Sequence, residues 1–497
     1  MKQSQRIAKN TAFGMLAAGV GGGLQFLSLL IAARYLGVAD FGILSYLLAF
    51  ATIFQFVADF GLSNILVREM TRRPTETEYL LGGAKALMWV LFGVGLLLLL
   101  GVIAVIPVTA KVKMLSWFIS MGYLARLNVV AYSSVLRSTE HMEFNSIAFI
   151  LHKVVTISLF GVVLMLKWGL WGIVFADFSA NMFLWIYYSV VVSVGFSPGR
   201  LRYDFHLWKS LLAESIPMGS GLILRQSAWQ LDMLILGFLV TPYSLGLFSG
   251  PFRILMGMSM VSGLLTQPLF PLFVRLAHQA REEFAVVYQR TIKWFCLISF
   301  PLMTICLAWP VPCIGLFFGK QFLPGAPALM IMSLAIFSIF VSVLYPYLFS
   351  ALGRQTDFLL IMAGAVAARI SLEFLLVPRF GYLSECGVIV GIEILLFLSL
   401  SWRLRVLGLP LNFRSSVLRP ALASGLCLIA LIYLPHENLI WMGADLVLCA
   451  IIYAAVLFWT RTLAPEEIVL IKEGFGFLKP YWNNIQGKIG ARRKAGA

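Results

Sequence analysis

The sequence predicts an all-α polytopic membrane protein with about 14 transmembrane helices. Three observations support this fold class. The 497 residues are 60% hydrophobic and only 12% charged, with a mean hydropathy of +0.90, whereas soluble domains have about 25% charged residues. The apolar runs are long and lack the alternation of barrel strands. Because lipid requires every backbone polar group to be paired internally, helices are the remaining spanning element.

The predicted spans are apolar runs of roughly 20 residues or more, separated by short segments rich in Gly, Pro or charge. Such breaks occur at 37–42, 107–113 and 319–327. The predicted spans are 11–34, 41–66, 83–107, 114–135, 145–166, 168–194, 210–239, 246–274, 291–315, 325–350, 357–378, 385–404, 417–434 and 439–460.

The basic residues follow the topology pattern of inner-membrane proteins. If the N-terminus is cytoplasmic, inner segments hold about 27 of the 38 Lys and Arg residues, and outer segments hold about six. Both termini are then expected in the cytoplasm, with the basic tail 463–497 near an anionic leaflet or solvated. The net charge of +16 follows this pattern, so it indicates membrane topology rather than nucleic-acid binding.

Two segments of the chain resemble each other and indicate an internal repeat. Segment 36–45 joins spans 1 and 2, segment 240–249 joins spans 7 and 8, and both place an apolar-Gly-apolar-apolar-Ser pattern after a short turn. An offset of six spans gives two halves of the same orientation. The predicted domains are a six-helix bundle at 1–200, a second at 201–410, two additional helices at 411–462, and the tail 463–497.

Charged residues within the spans are the candidate functional residues, because a charge at the centre of a membrane helix costs at least about 2.5–3.5 kcal/mol. Cations without a nearby acid suggest an anionic ligand, and the planar guanidinium of arginine suits phosphate. The candidate cavity cations are Arg126, Lys153, Arg225, Arg34, Arg253 and Arg369. The candidate acids, for ion coupling or structure, are Asp59, Asp232 and Glu373.

Several of these residues also have structural interpretations. Arg369 and Glu373 are one helical turn apart and would neutralise each other. Arg34 and Arg253 lie where long side chains extend to lipid headgroups. Asp59 precedes the segment at 60–64 and would cap a helix there or pair near Arg68.

The run 33–45 (ARYLGVADFGILS), with DFGL at 59–62 and VRE at 67–69, resembles the Wzx-type polysaccharide flippases. These belong to the multidrug/oligosaccharidyl-lipid/polysaccharide exporter superfamily. The resemblance implies two six-helix bundles around a V-shaped central cavity that opens alternately to each side. It implies an undecaprenyl-pyrophosphate-linked oligosaccharide as cargo, for O-antigen and lipopolysaccharide synthesis in the bacterial inner membrane. A polysaccharide polymerase complex is a partner that such a role would allow.

Two other functions compete with this interpretation. A cation-coupled multidrug extruder would need cavity acids, but the mid-span charge is mainly basic. A membrane polysaccharide polymerase or ligase would need a large outer loop, and no outer segment exceeds about a dozen residues. The sequence has no nucleotide-binding motif and no metal-ligand spacing, so we expect no enzyme activity, cofactor or metal.

Overall fold

The structure, a computed structural model, describes residues 3–106, 108–196, 199–434, 439–460 and 462. This part of the chain contains helices and turns but no strand. Short 3₁₀ turns occur at Pro74–Glu76, Gln267–Leu269 and Lys320–Gly325, and a π-helical turn occurs at Arg414–Leu418. The helices are Gln3–Asp59 (α1), Leu62–Arg72 (α2), Thr77–Val105 (α3), Ala110–Ser138 (α4), Met142–Leu166 (α5), Gly169–Gly195 (α6), Phe205–Leu239 (α7), Pro242–Thr266 (α8), Phe270–Gln279 (α9), Arg281–Ala308 (α10), Pro310–Phe318 (α11), Ala326–Ser333 (α12), Ile336–Ser342 (α13), Tyr345–Ala351 (α14), Gln355–Phe380 (α15), Tyr382–Val406 (α16), Arg419–Tyr433 (α17) and Leu439–Trp459 (α18).

The predicted all-α membrane fold is confirmed. Within the described residues, 11 helical segments are long and apolar enough to cross a membrane, or 12 if the bent pair Lys320–Ser333 and Ile336–Ala351 forms one span. The count of 14 stays a prediction, and it differs from the count of 12 in two places. Predicted spans 1 and 2 fall in one segment, Ala17–Arg72. In predicted span 7, the only described apolar helix is the short Trp229–Leu239.

A break at Gly37 divides the 57-residue helix α1. A straight helix of this length would extend about 85 Å, nearly three times the hydrocarbon thickness of a bilayer. Gly37 has φ 79° and ψ 177°, a conformation that residues with a Cβ rarely adopt. The break lies at the turn that the sequence predicts between spans 1 and 2.

The chain forms two compact units. The first comprises Met1–Ala285 and Trp309–Pro410, and the second comprises Val286–Ala308 and Leu411–Ala497, each within the described residues. In the second unit, Leu297, Ala423 and Leu457 form a small buried core, and the Tyr453 hydroxyl donates to the Leu297 carbonyl at 3.1 Å. The predicted domain bounds stay predictions, and the tail 463–497 lies outside the described residues.

Helices α7 and α8 begin at capped residues. The Asp204 carboxylate accepts from the amides of His206 at 2.9 Å and Leu207 at 3.0 Å, which satisfies donors that the first turn of α7 leaves free. The Tyr79 hydroxyl also donates to Asp204, and this bond, with those of the amides, holds the pKa of the carboxyl below its usual range. At α8, the Thr241 hydroxyl accepts from the Ser244 amide at 3.2 Å.

The two repeated segments meet each other directly in the first unit, where α1 packs against α8. A Cβ added at Gly42 would collide with the Pro242 carbonyl oxygen and lie 2.7 Å from the Gly246 amide nitrogen. A Cβ added at Gly246 would collide with the Val38 carbonyl oxygen. Only glycines permit this approach of two backbones. We call this contact, made by Val38, Gly42, Pro242 and Gly246, the glycine crossing.

Replacing Gly246 by Ala is expected to destabilise the protein. The added methyl group meets backbone rather than a flexible side chain, so α1 and α8 must separate, at a cost of about 1–3 kcal/mol. The melting temperature of the purified protein in detergent measures the effect. Gly391→Ala in α16 is the matched control, because no atom lies within 4 Å of its added Cβ, and a helical Gly-to-Ala change there should be neutral or stabilising. An equal melting temperature for Gly246→Ala and the parent protein would contradict the close approach of the two backbones at the glycine crossing.

Candidate functional site

A cavity of about 430 Å³ lies inside the first unit. Helices α1, α4, α5, α6, α7 and α8 contribute its described lining, so it is bordered by residues from both of the predicted bundles, 1–200 and 201–410. Its walls combine aromatic and aliphatic side chains with an unusual number of polar ones for a membrane interior. Such a cavity is the form expected of a binding site for a small polar group.

Three of the predicted cations line this cavity, namely Arg126 of α4, Lys153 of α5 and Arg253 of α8. The Arg126 guanidinium lies 5.6 Å from the Tyr123 ring centroid, and Lys153 Nζ lies 5.9 Å from that of Phe149. Arg253 Nε is buried and has no hydrogen-bond partner among the described residues. Aromatic faces stabilise these charges only partly, so their donors are available to an anion.

The cavity also contains an acid, Asp177 of α6, close enough to Lys153 and Arg126 to interact with both electrostatically. The Asn181 amide donates to Asp177 Oδ2 at 3.0 Å. Gly122 allows α4 to approach this face of α6, since its added Cβ would lie 3.3 Å from the Cα of Phe178. The prediction of an anionic ligand relied on the absence of an acid near these cations along the chain. In the folded protein an acid does lie near them, Asp177, which is 24 residues after Lys153 in the sequence.

Neutral polar side chains complete the described lining, including Gln25 and Gln55 of α1, His152 of α5 and Gln230 of α7. His152 is buried, and its Nε2 has no hydrogen-bond partner in the described part of the chain. Amide and imidazole groups are suited to hydrogen bonds with sugar or phosphate oxygens. Sequence reasoning from charge alone did not select them, although polar residues within apolar spans are a usable signal.

Arg34 lies elsewhere. It is exposed, and its guanidinium donates to two carbonyl oxygens at the end of α11, that of Phe317 at 3.0 Å and that of Leu316. Gln321 Nε2 donates back to the Arg34 carbonyl at 3.1 Å. Arg34 therefore satisfies the free carbonyls of a helix terminus and does not line the cavity.

Arg369 does not line the cavity either. It is 4% exposed, and its Nη2 lies 2.5 Å from Asp232 Oδ2. Its Nε lies 3.6 Å from Glu373 Oε1 and 3.8 Å from Glu385 Oε1. The predicted pairing with Glu373 is thus present, but Asp232 of α7 is the closer partner. We call Arg369, Asp232, Glu373, Glu385 and the nearby Glu393 the buried acid cluster.

The buried acid cluster brings four carboxyl groups together around one guanidinium. Carboxylate oxygens of Asp232, Glu373 and Glu385 lie within 4.8 Å of one another, a spacing that ligands of a cation can have. In this arrangement Arg369 supplies the positive charge, and the Trp229 ring lies 5.3 Å from its guanidinium. The cluster thus joins α7, α15 and α16 through charge.

The remaining predicted residues are Asp59 and Arg225. Asp59 ends α1, and its carboxylate accepts from the Ser63 amide at 3.3 Å and from the Ser63 hydroxyl at 3.2 Å. These bonds hold the turn between α1 and α2, the capping role that the sequence suggested. The side chain of Arg225 lies outside the described residues.

Comparison with known proteins adds information on the family and the fold. A family model described as polysaccharide biosynthesis protein matches residues 7–277. No curated protein sequence matches the chain.

Many solved structures share the fold, and three of them are compared with the chain. The lipid II flippase MurJ, in an inward closed conformation, has a TM-score of 0.74 at 13% identity, covering 90% of this chain and 99% of that one. An inward-facing multidrug resistance MATE family transporter of the MOP superfamily has a TM-score of 0.62 at 14% identity, covering 78% and 95%. A MOP superfamily transporter from Pyrococcus furiosus has a TM-score of 0.55 at 14% identity, covering 87% and 99%.

Proposed function

Because the chain belongs to the polysaccharide biosynthesis protein family and has the fold of MOP superfamily transporters, we propose that it is a flippase for a lipid-linked glycan. Its cargo is an undecaprenyl-pyrophosphate-linked oligosaccharide, moved across the bacterial inner membrane by alternating access. The product serves synthesis of a surface polysaccharide such as O-antigen. Both termini lie in the cytoplasm, and a polysaccharide polymerase complex receives the cargo on the other side.

The observation that supports this proposal is the charge of the cavity. Arg126, Lys153 and Arg253 line it with one acid, Asp177, in the described part of the wall. A pyrophosphate carries two negative charges and several acceptor oxygens, which guanidinium and ammonium groups bind well. We assign these three cations, together with Arg225, to the pyrophosphate. Arg34 has a structural role at α11, and Arg369 has one in the buried acid cluster.

A multidrug extruder is the main alternative, since such a transporter has the same fold. The cavity lining argues against it, because a cationic drug would meet three positive side chains and one negative side chain among the described residues. The buried acid cluster does not change this argument, because Arg369 occupies its centre and its acids are absent from the described cavity wall.

The test uses cells that lack their own glycan flippase and produce this protein. We expect lipid-linked glycan to appear on the outer face of the inner membrane, and surface polysaccharide to return. The same cells should show no change in resistance to cationic drugs. Absence of outer-face glycan at normal protein levels would overturn the proposal. Drug resistance without glycan movement would replace the flippase with the extruder.

A further inference from the structure

Asp177 is the only acid among the described side chains that line the cavity. It interacts electrostatically with Lys153 and Arg126, yet it forms no direct ion pair with either in the described part of the chain. Asn181 fixes its direction by donating to its carbonyl oxygen at 2.9 Å and to its carboxylate at 3.0 Å. The carboxylate is therefore held beside the cations but does not bind them tightly.

This arrangement matters because a transporter has to release what it binds. Cations buried in a membrane cavity are costly without a counter-charge, and they would hold a pyrophosphate strongly once it had entered. Binding that is favourable at entry must also be weak enough for exit. A carboxylate fixed nearby serves both entry and exit. It offsets the free-energy cost of burying the cations when the cavity is empty, and it lowers the net free energy gained when the cargo binds.

We propose that Asp177 is a built-in anion that competes with the phosphates of the cargo for Lys153 and Arg126, and so allows the cavity to release them. The inference rests on the proposed function of the cavity. A pyrophosphate has two charges and displaces the single carboxylate while the cavity is closed to water. When the cavity opens, water solvates the phosphates, and the carboxylate again neutralises the two cations.

The decisive variant is Asp177→Asn, which removes the charge and keeps the shape of the side chain. Its Kd for undecaprenyl pyrophosphate bearing one sugar should fall by at least about tenfold, the factor expected for each negative charge of the pyrophosphate at roughly 10 Å from the carboxylate and an effective dielectric constant of about 20. Its rate of flipping in proteoliposomes at saturating cargo should fall as well, because release becomes slow. If Asp177 had only a structural role, Asp177→Asn would weaken cargo binding and slow transport together. The experiment measures Kd and rate on the same purified full-length protein.

Further variants separate charge from folding. Asp177→Glu keeps the charge and should retain the parent Kd within a few-fold. Ser179→Ala on the same helix is the matched control, because that exposed hydroxyl only donates to the Phe175 carbonyl, and it should leave both quantities unchanged.

Unchanged or weaker binding by Asp177→Asn, at the parent melting temperature, would overturn the role of Asp177 and leave the proposed function intact. If the parent protein binds the pyrophosphate lipid no better than free undecaprenol, the proposed function fails first, and the inference fails with it.

Discussion

Replacing Arg126 by Gln and Lys153 by Met together is expected to abolish glycan transport. Both side chains line the cavity, and they lie close enough to interact electrostatically with each other. Neither has an ion-pair partner among the described residues. A hydrogen bond to a charged group contributes about 1.5–3 kcal/mol. Losing two of them should reduce transport by about 10²- to 10⁴-fold. Outer-face lipid-linked glycan in flippase-deficient cells, at matched protein levels, measures the effect.

Conservative variants sharpen this prediction. Arg126→Lys and Lys153→Arg keep the charge and should retain part of the activity, with Arg126→Lys losing the two-pronged geometry of the guanidinium. Arg225→Gln belongs to the same series, because it tests the assignment of Arg225 to the pyrophosphate, which rests on the sequence. Lys113→Met is the matched control, since this exposed lysine only donates to the Ala104 carbonyl. Full transport by the Arg126 and Lys153 double variant would contradict the site.

Replacing Arg369 by Met is expected to produce the largest loss of stability. Its removal leaves the buried carboxyl groups of Asp232, Glu373 and Glu385 without their guanidinium. Breaking a buried ion pair by removing one partner costs about 3–5 kcal/mol. The melting temperature in detergent and the yield of folded protein should both fall. Adding Asp232→Asn should recover part of the loss, because it removes the closest of the unpaired charges.

The structure offers a matched control for Arg369. Arg403 of α16 pairs with Asp357 at 2.9 Å, but the two side chains are 30% and 20% exposed. An ion pair that solvent reaches contributes less than a fully buried one, toward the value of about 0–1 kcal/mol for exposed pairs, so Arg403→Met should lose clearly less stability than Arg369→Met. If Arg369→Met and Arg403→Met lost the same stability, burial would not be the cause, and the structural role of the buried acid cluster would be wrong.

The fold class could be predicted from the sequence because lipid imposes a simple rule on composition and run length. The turn at Gly37 and the resemblance between the segments around Gly42 and Gly246 were also visible. Their mutual contact was not, since about 200 residues separate them and only the folded chain brings the two backbones together.

The site was predictable in part, because the depth of a charge can be estimated from sequence but its partners cannot. Arg126 and Lys153 were selected by depth and line the cavity. Arg369 has a similar depth, yet an acid 137 positions away is its closest partner. Asp177 is not near the cavity cations in sequence, and only the packing of α6 against α4 and α5 reveals it as their neighbour.

The glycine crossing lies outside the described wall of the cavity, and it joins backbone to backbone. It therefore places no demand on the chemistry of the cargo. Under the proposed function, the lining of the cavity can change for a different glycan while the contact between α1 and α8 stays the same. Recognition of the cargo and packing of α1 against α8 thus depend on separate residues, and redesign of the cavity for a different sugar would not require the crossing to be redesigned.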